Sequence, residues 1–249
     1  MARYKAVIEY DGTDYVGFQR QANGPTVQSE LESALAAING GESVAVLGAG
    51  RTDSGVHASG QGVAFDLKWT HGADALVRAL NANLPRAIAV RSAAECANGF
   101  HPRFSARGRR YRYTIYNAPV RSPLQERFAW RVWSALDASA MAEASQYLIG
   151  RKDFAAFGAA PEEDGHTVRE VREARWVSTD VNGGVKLDFF IEADAFLYRM
   201  VRSIVGTLKL VGAAELSPAE FGEIVASADR SRAGTTAPSN GLCLIEVMY

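Results

Sequence analysis

Apolar and polar residues alternate from the start of the chain, with Tyr4, Ala6, Ile8 and Tyr10 on one side and Lys5, Val7 and Glu9 on the other. A period of two predicts a β-strand with one buried face. Asp11-Gly12 turns it, and Asn23-Gly24-Pro25 breaks the chain again. Thr26 then offers an oxygen to cap a helix. Val27, Leu31, Ala34, Leu35 and Ile38 follow at helical spacing, and Asn39-Gly40 supplies the stop. An apolar run over 44–47 and an alternating one over 62–67 predict two adjacent strands, with residues 48–60 as the loop at their tip. Residues 74–80 predict a helix that closes before Pro85, and 88–91 with 93–96 a further strand region. The first hundred residues thus read β, α, β, β, α, β.

The pattern restarts at Arg109, where strict alternation puts Tyr111, Tyr113 and Ile115 on one face. Asp137 opens a predicted helix through Met141, Ala144 and Leu148 to Gly150. Residues 168–178 and 185–192 predict two strands around a turn over 180–184. Phe196, Met200, Ile204 and Leu208, with Leu197, Val201 and Val205 beside them, predict a helix over 196–208. Ser217-Pro218-Ala219-Glu220 has the form of a capping box with proline at the first helical position. Residues 242–247 close as a strand. The fold expected is α+β in two similar halves, residues 1–104 and 105–249. Each is a mainly antiparallel sheet with helices on one face, with a catalytic cleft expected between them. Residues 161–165, Pro-Glu-Glu-Asp-Gly, are the expected mobile loop.

Composition changes this picture in one respect. The chain has 249 residues and a net charge of −1, yet its charge is unevenly spread. Residues 1–100 carry 8 basic and 10 acidic side chains, residues 101–131 carry 8 arginines against Glu126, and residues 132–249 carry 11 basic against 17 acidic. An all-arginine block of that density reads either as a footprint for a polyanion or as an ion-paired surface. No apolar run approaches the length of a membrane span, and no signal-peptide core precedes the first strand. With Cys96 and Cys243 the only cysteines, the expected setting is a reducing cytoplasm.

Candidate chemistry centres on the glycine-rich loop. Asp53 stands there among small residues, with Arg51 and His57 beside it. Taken alone it reads equally as a turn-former or as an unobstructed carboxylate. His57, His71, His101 and His166 show no paired spacing, so no metal site is expected. Gly48-Ala49-Gly50 matches no phosphate-binding fingerprint. What remains is a carboxylate, arginines and a tyrosine-rich strand.

These stretches resemble, in order and over essentially the whole chain, the motifs of the tRNA pseudouridine synthase A family. They are GRTDSGVHA at residues 50–58, FHPRFSA at 100–106, RRYRY at 109–113, DFAAF at 153–157, MVRSIVG at 200–206 and TAPSNGL at 236–242. The resemblance implies isomerisation of uridine to pseudouridine at positions 38, 39 and 40 of the tRNA anticodon arm, by a homodimer that uses no metal or organic cofactor. It implies Asp53 as nucleophile, kept ionised by Arg202. Tyr111 would stack on the flipped uracil, and Arg51 would fill the space the base vacates. His57 stays open between a tRNA contact and a brace for the loop. Arg109 and Arg110, with Arg103, Arg107, Arg121, Arg127 and Arg131, are candidate phosphate contacts. Arg199 stands where the family often has histidine. Tyr111 as a plain core residue and Arg202 as a plain ion pair are the competing readings. At the level of function the rivals are a non-catalytic RNA-binding protein and a glycoside hydrolase using Asp66 or Asp11 as acid.

Overall fold

The alternation at the start of the chain forms β1 (Ala2–Tyr10) in the computed structural model, which describes residues 1–160 and 165–249. Four of the five residues expected to form a mobile loop, 161–164, lie outside the described residues. After β1 come α1 (Val27–Ile38), β2 (Leu47–Gly48), β3 (His57–Leu67), α2 (Ala73–Asn83) and β4 (Ile88–Glu95). The second stretch holds β5 (Gly108–Asn117), α3 (Pro123–Glu126), β6 (Trp130–Val132), α4 (Ala138–Ser145), β7 (Gly150–Asp153), β8 (Val168–Val181), β9 (Gly184–Ala193), α5 (Met200–Gly212), α6 (Pro218–Ser227) and β10 (Leu242–Met248). The chain divides into two compact units, Met1–Arg107 with Cys243–Tyr249, and Gly108–Leu242. The fold is α+β with mainly antiparallel pairing, as the pattern of elements predicts.

In the first unit the strands lie in the order β4-β1-β3-β10, with β2 also paired to β3. Only β10 is parallel to its neighbour here, through Cys243↔His57 and Leu244↔Ala58. Tyr4, Ala6, Ile8 and Tyr10 are buried, as their alternation requires. α1 starts at the expected cap: Thr26 Oγ1 accepts from Ser29 N–H, and Ser29 Oγ accepts from Thr26 N–H, both at 3.2 Å. Val27, Leu31, Ala34 and Leu35 are its buried residues, each contributing about 1.5–3 kcal/mol for the larger aliphatics.

Two expectations for this unit are corrected. The run over 44–47 is not a strand apart from Leu47, because side chains of α1 serve its backbone. Glu32 Oε1 accepts from Val46 N–H, and Gln28 Nε2 donates to Val46 O, both at 3.1 Å. The loop expected over 48–60 is shorter, since β3 already begins at His57. From residue 57 to 65 only Ser59 is exposed, so β3 does not alternate. An interior strand with both faces covered reads as continuous burial.

In the second unit the order is β5-β9-β8-β7, with β6 parallel to β5. β5 pairs with β9 from Arg109↔Ala193 to Asn117↔Val185. The β8–β9 hairpin runs to Val181↔Gly184, so its turn is narrower than expected. Tyr113, Ile115, Phe189 and Ile191 form the sheet's part of the core, and Ile204, Val205 and Leu208 are buried on α5. The helix expected over 196–208 begins instead at Met200. Arg199 sits at φ 58°, in the left-handed region, which no right-handed helix passes through. Phe196 and Leu197 supply apolar contact from outside the helix. The helix expected from Asp137 to Gly150 ends at Ser145 and tightens into a 3₁₀ turn over Gln146–Leu148. α3, β6 and β7 are short elements that the pattern does not signal. α6 carries the predicted capping box between Ser217 and Glu220.

Candidate active site

The carboxylate of interest belongs to the first unit, where the backbone on both sides of Asp53 is tied to the segment between β1 and α1. Phe18 N–H donates to Thr52 O at 3.1 Å, Gly55 N–H to Tyr15 O at 3.3 Å, and Ser54 Oγ to Tyr15 O at 3.2 Å. Val56 N–H closes a turn on Asp53 O at 3.1 Å. Buried Thr52 shares a 2.8 Å hydrogen bond between its hydroxyl and that of Tyr10. Gly17 allows the approach: its φ is +112°, and a Cβ there would lie 2.7 Å from Thr52 O. Upstream, Gln61 Nε2 donates to Gly50 O at 2.9 Å. Asp53 is half-buried and Arg51 exposed, so the loop fixes the main chain while leaving both side chains access to solvent.

His57 is buried beneath this loop. Gly12 N–H donates to its Nδ1 at 3.0 Å, and Asp11 Oδ1 lies 3.2 Å from the same nitrogen. The same ring nitrogen thus faces a backbone donor and a carboxylate oxygen of the turn after β1. In this geometry His57 braces the turn after β1 against the start of β3.

The second unit holds Tyr111, Arg109, Arg110 and Arg202. Tyr111 is buried on β5 opposite Ile191, with the Phe196 ring edge-on at 5.0 Å. Arg202 lies on the first turn of α5 and is held from a remote stretch of chain. Its Nε donates to Ala237 O at 2.7 Å, and its own carbonyl accepts from Ala237 N–H at 3.1 Å. A guanidinium anchored through Nε has its plane fixed. The strap carrying Ala237 can lie this close only because residue 206 is glycine, since a Cβ there would stand 1.8 Å from Thr235 O. Farther along the strap, Tyr113 Oη donates to Pro238 O at 2.8 Å, and Asn240 Nδ2 donates to Glu126 O and Ala129 O at 2.7 and 2.9 Å. Burial pushes the Tyr113 phenol far above its ordinary pKa, and the charge of Arg202 pulls the other way. Tyr113 is therefore a neutral donor at every working pH.

These strap contacts are what sequence reasoning missed: TAPSNGL was a motif without a task. Gly206 was the available signal, because a glycine inside a helix costs about 1 kcal/mol against alanine and so marks a close approach.

Part of the arginine block is committed to the protein. Arg110 Nη2 meets Glu192 Oε2 at 2.6 Å and its Nε lies 3.5 Å from Glu173 Oε2. Arg112 faces Asp188 at 3.8 Å and Arg131 faces Glu126 at 3.7 Å. Arg109 Nη1 donates to Asp194 O at 3.0 Å. For Arg110, Arg112 and Arg131 the ion-paired reading describes the geometry. Among the described residues no group of three or more His, Cys, Asp or Glu side chains is arranged to hold a metal ion. No described helix is long and apolar enough to cross a membrane.

The first unit thus presents a carboxylate on a clamped glycine loop, and the second, described by itself, an arginine anchored on a helix and a tyrosine on β5. Residues 6–105 and 144–249 match the tRNA pseudouridine synthase family, and the chain belongs to that family. Among its relatives is the tRNA pseudouridine synthase A of Myxococcus xanthus, 46% identical over 100% of this chain and 92% of that protein. The proteins of that name from Syntrophotalea carbinolica and Brevibacillus brevis are 45% and 42% identical, each over 100% of this chain and 97% and 100% of their own length. The two matched stretches also mark the two α+β halves expected from the repeated pattern of elements.

Proposed function

We propose that this chain isomerises uridine to pseudouridine in tRNA, at positions 38, 39 and 40 of the anticodon arm, with Asp53 as nucleophile. The reaction breaks the N1–C1′ bond, turns the detached uracil and joins C5 to C1′, while the proton on C5 leaves. A carboxylate can hold the sugar carbon between the two bonds, as in retaining glycosidases. The target base must leave its stack to be reached. Tyr111 then stacks on the uracil, and Arg51 takes the vacated place in the RNA. Arg202 supplies the positive charge that keeps Asp53 ionised when water is excluded. Arg109, two residues before Tyr111 on β5, is proposed as a further RNA contact, whereas His57 braces the loop and Arg110 is held by Glu173 and Glu192. The proposed working form is a cytoplasmic homodimer without metal or organic cofactor.

The observation that best supports this reading is the setting of residue 53. Its neighbours on both sides are tied down by hydrogen bonds while its side chain is left partly exposed, which holds the carboxylate in place and leaves it accessible to a substrate. The test is release of tritium from tRNA labelled at C5 of uridine. The wild type releases label, and Asp53→Ala releases it at least about 10³-fold more slowly. Full-rate release by the variant would remove Asp53 from the chemistry and favour a different enzyme class or a plain RNA-binding role.

A further inference from the structure

The geometry points to Phe104, with Arg103 beside it, as a stacking platform for an unpaired base of the RNA substrate. This rests on the tRNA reading above and adds to it a contact in the first unit. Phe104 is 77% exposed. Lone exposed apolar residues are ordinary, so exposure by itself decides nothing. The loop that presents this one is built, however. Ser105 N–H donates to His101 O at 2.8 Å and His101 N–H donates to Ser105 Oγ at 3.2 Å, closing residues 101–105 on themselves. Arg103 N–H donates to His101 Nδ1 at 3.2 Å, which orients the imidazole.

Behind the loop, Arg3 Nη1 donates to the carbonyls of Phe100 and Asn98 at 3.0 and 3.2 Å. The same guanidinium is gripped by Asp66 through Nε and Nη2 at 2.9 and 2.8 Å. The Phe100 ring stands edge-on to Tyr249 at 5.0 Å. A ring held in water on so fixed a support loses little freedom when something lands on it.

The neighbours of the ring give the chemistry of that partner. The His101 imidazole lies 4.4 Å away, tilted by 37°, and the Arg103 guanidinium lies 5.6 Å from the ring centroid. Most of the ring stays open despite both. The same pairing of arginine with an adjacent exposed aromatic recurs at Arg127–Phe128 and at Tyr198–Arg199, at 6.0 and 4.8 Å. An open aromatic face beside a guanidinium suits a ligand that is flat and carries negative charge, which is a nucleotide in a single-stranded stretch. A protein partner would call for a contiguous apolar patch instead, and here the ring has polar neighbours.

The test measures equilibrium tRNA binding over a range of salt for the wild type, Phe104→Leu, Phe104→Trp and Arg103→Gln. Phe104→Leu is expected to bind about 5- to 100-fold more weakly with an unchanged salt slope, because a stacking contact releases no counterions. Phe104→Trp should bind within about twofold of wild type, since stacking needs only an aromatic face. Arg103→Gln should reduce the salt slope by roughly one phosphate contact. Melting temperatures should be unchanged, because the ring already lies in water. Phe104→Leu binding tRNA as the wild type does, or losing binding together with melting temperature, overturns the inference. Wild-type protein that neither binds tRNA nor releases label sinks the functional reading, and this inference with it.

Discussion

Asp53 and Arg202 are held in place by opposite means. The carboxylate sits on a short loop whose own backbone is hydrogen-bonded to a segment some 35 residues earlier, through Tyr15 O and Phe18 N–H. The guanidinium rides on a regular helix, and its direction is set by a side-chain bond to the carbonyl of Ala237. The first arrangement makes the position of the backbone rigid and lets the side chain follow. The second fixes the side chain itself and makes it depend on how another stretch of chain packs. Damage to the two should therefore look different.

Arg202→Lys gives the largest separation. Lysine keeps the charge but has no Nε–H for Ala237, so the cation loses its fixed plane. Turnover should fall about 10²-fold, the scale of a misplaced catalytic group, while tRNA affinity stays within about twofold. Equal losses in both would make Arg202 a simple RNA contact. Next come the two glycines. Gly206→Ala drives a Cβ against Thr235 O and must lift the strap, and Gly17→Ala drives one against Thr52 O at an unfavourable φ. Each should cost about 1–3 kcal/mol in urea unfolding. If the contrast is right, Arg202→Lys combined with Gly206→Ala loses little further turnover, because both act through the strap, whereas Gly17→Ala adds its own loss. Simple additivity in the first pair would break the comparison.

Tyr113→Phe is milder. It removes the donor to Pro238 O and leaves that carbonyl to be satisfied elsewhere, which should cost about 1 kcal/mol of stability. Turnover should drop by less than about tenfold with unchanged tRNA affinity. The smallest effect distinguishes the helix caps of the two units. Ser217 donates to Glu220 through both N–H and O–H, which holds this carboxyl below its ordinary range. A carboxyl with a depressed pKa stabilises the fold above its unfolded value, and that contribution is lost as pH falls through the depressed one. The α1 cap uses Ser29 in the same place and has nothing to titrate there. Amide exchange in the first turn of α6 should therefore speed up in acid relative to α1, and Glu220→Gln should abolish the difference.

Much of this was legible along the chain, because it depends on near neighbours. The alternation of Tyr4 to Tyr10, the cap at Thr26 and the box at Ser217 all specify local geometry, and each appears where its residues demand it. The glycine-rich loop announced itself by composition, and its clamp on residues 15–18 explains why Gly17 stands nearby. What stayed hidden depends on distant partners. The apolar stripe from Phe196 onward looks helical throughout, yet its first residues serve Tyr111 from coil while Arg199 turns the chain. Val44 and Val46 look like a strand, but the backbone of Val46 is taken by Glu32 and Gln28 of α1. Within the arginine block, Arg110, Arg112 and Arg131 face carboxylates, whereas Arg103 and Arg127 lie by exposed aromatic rings. No count of charge along the chain distinguishes the two.

The pairing of β10 with β3 bears on how the protein is born. Synthesis delivers residues 1–107 more than a hundred residues before Cys243–Tyr249, which complete the same unit. Until those residues leave the ribosome, the flank of β3 at His57 and Ala58 has no parallel neighbour, and Gly60 has nothing of Ile245 to nestle against. The strand that leads out of the Asp53 loop is thus finished late in translation. A nascent chain halted before residue 243 would keep that edge open to chaperones, or to the same edge on another stalled chain.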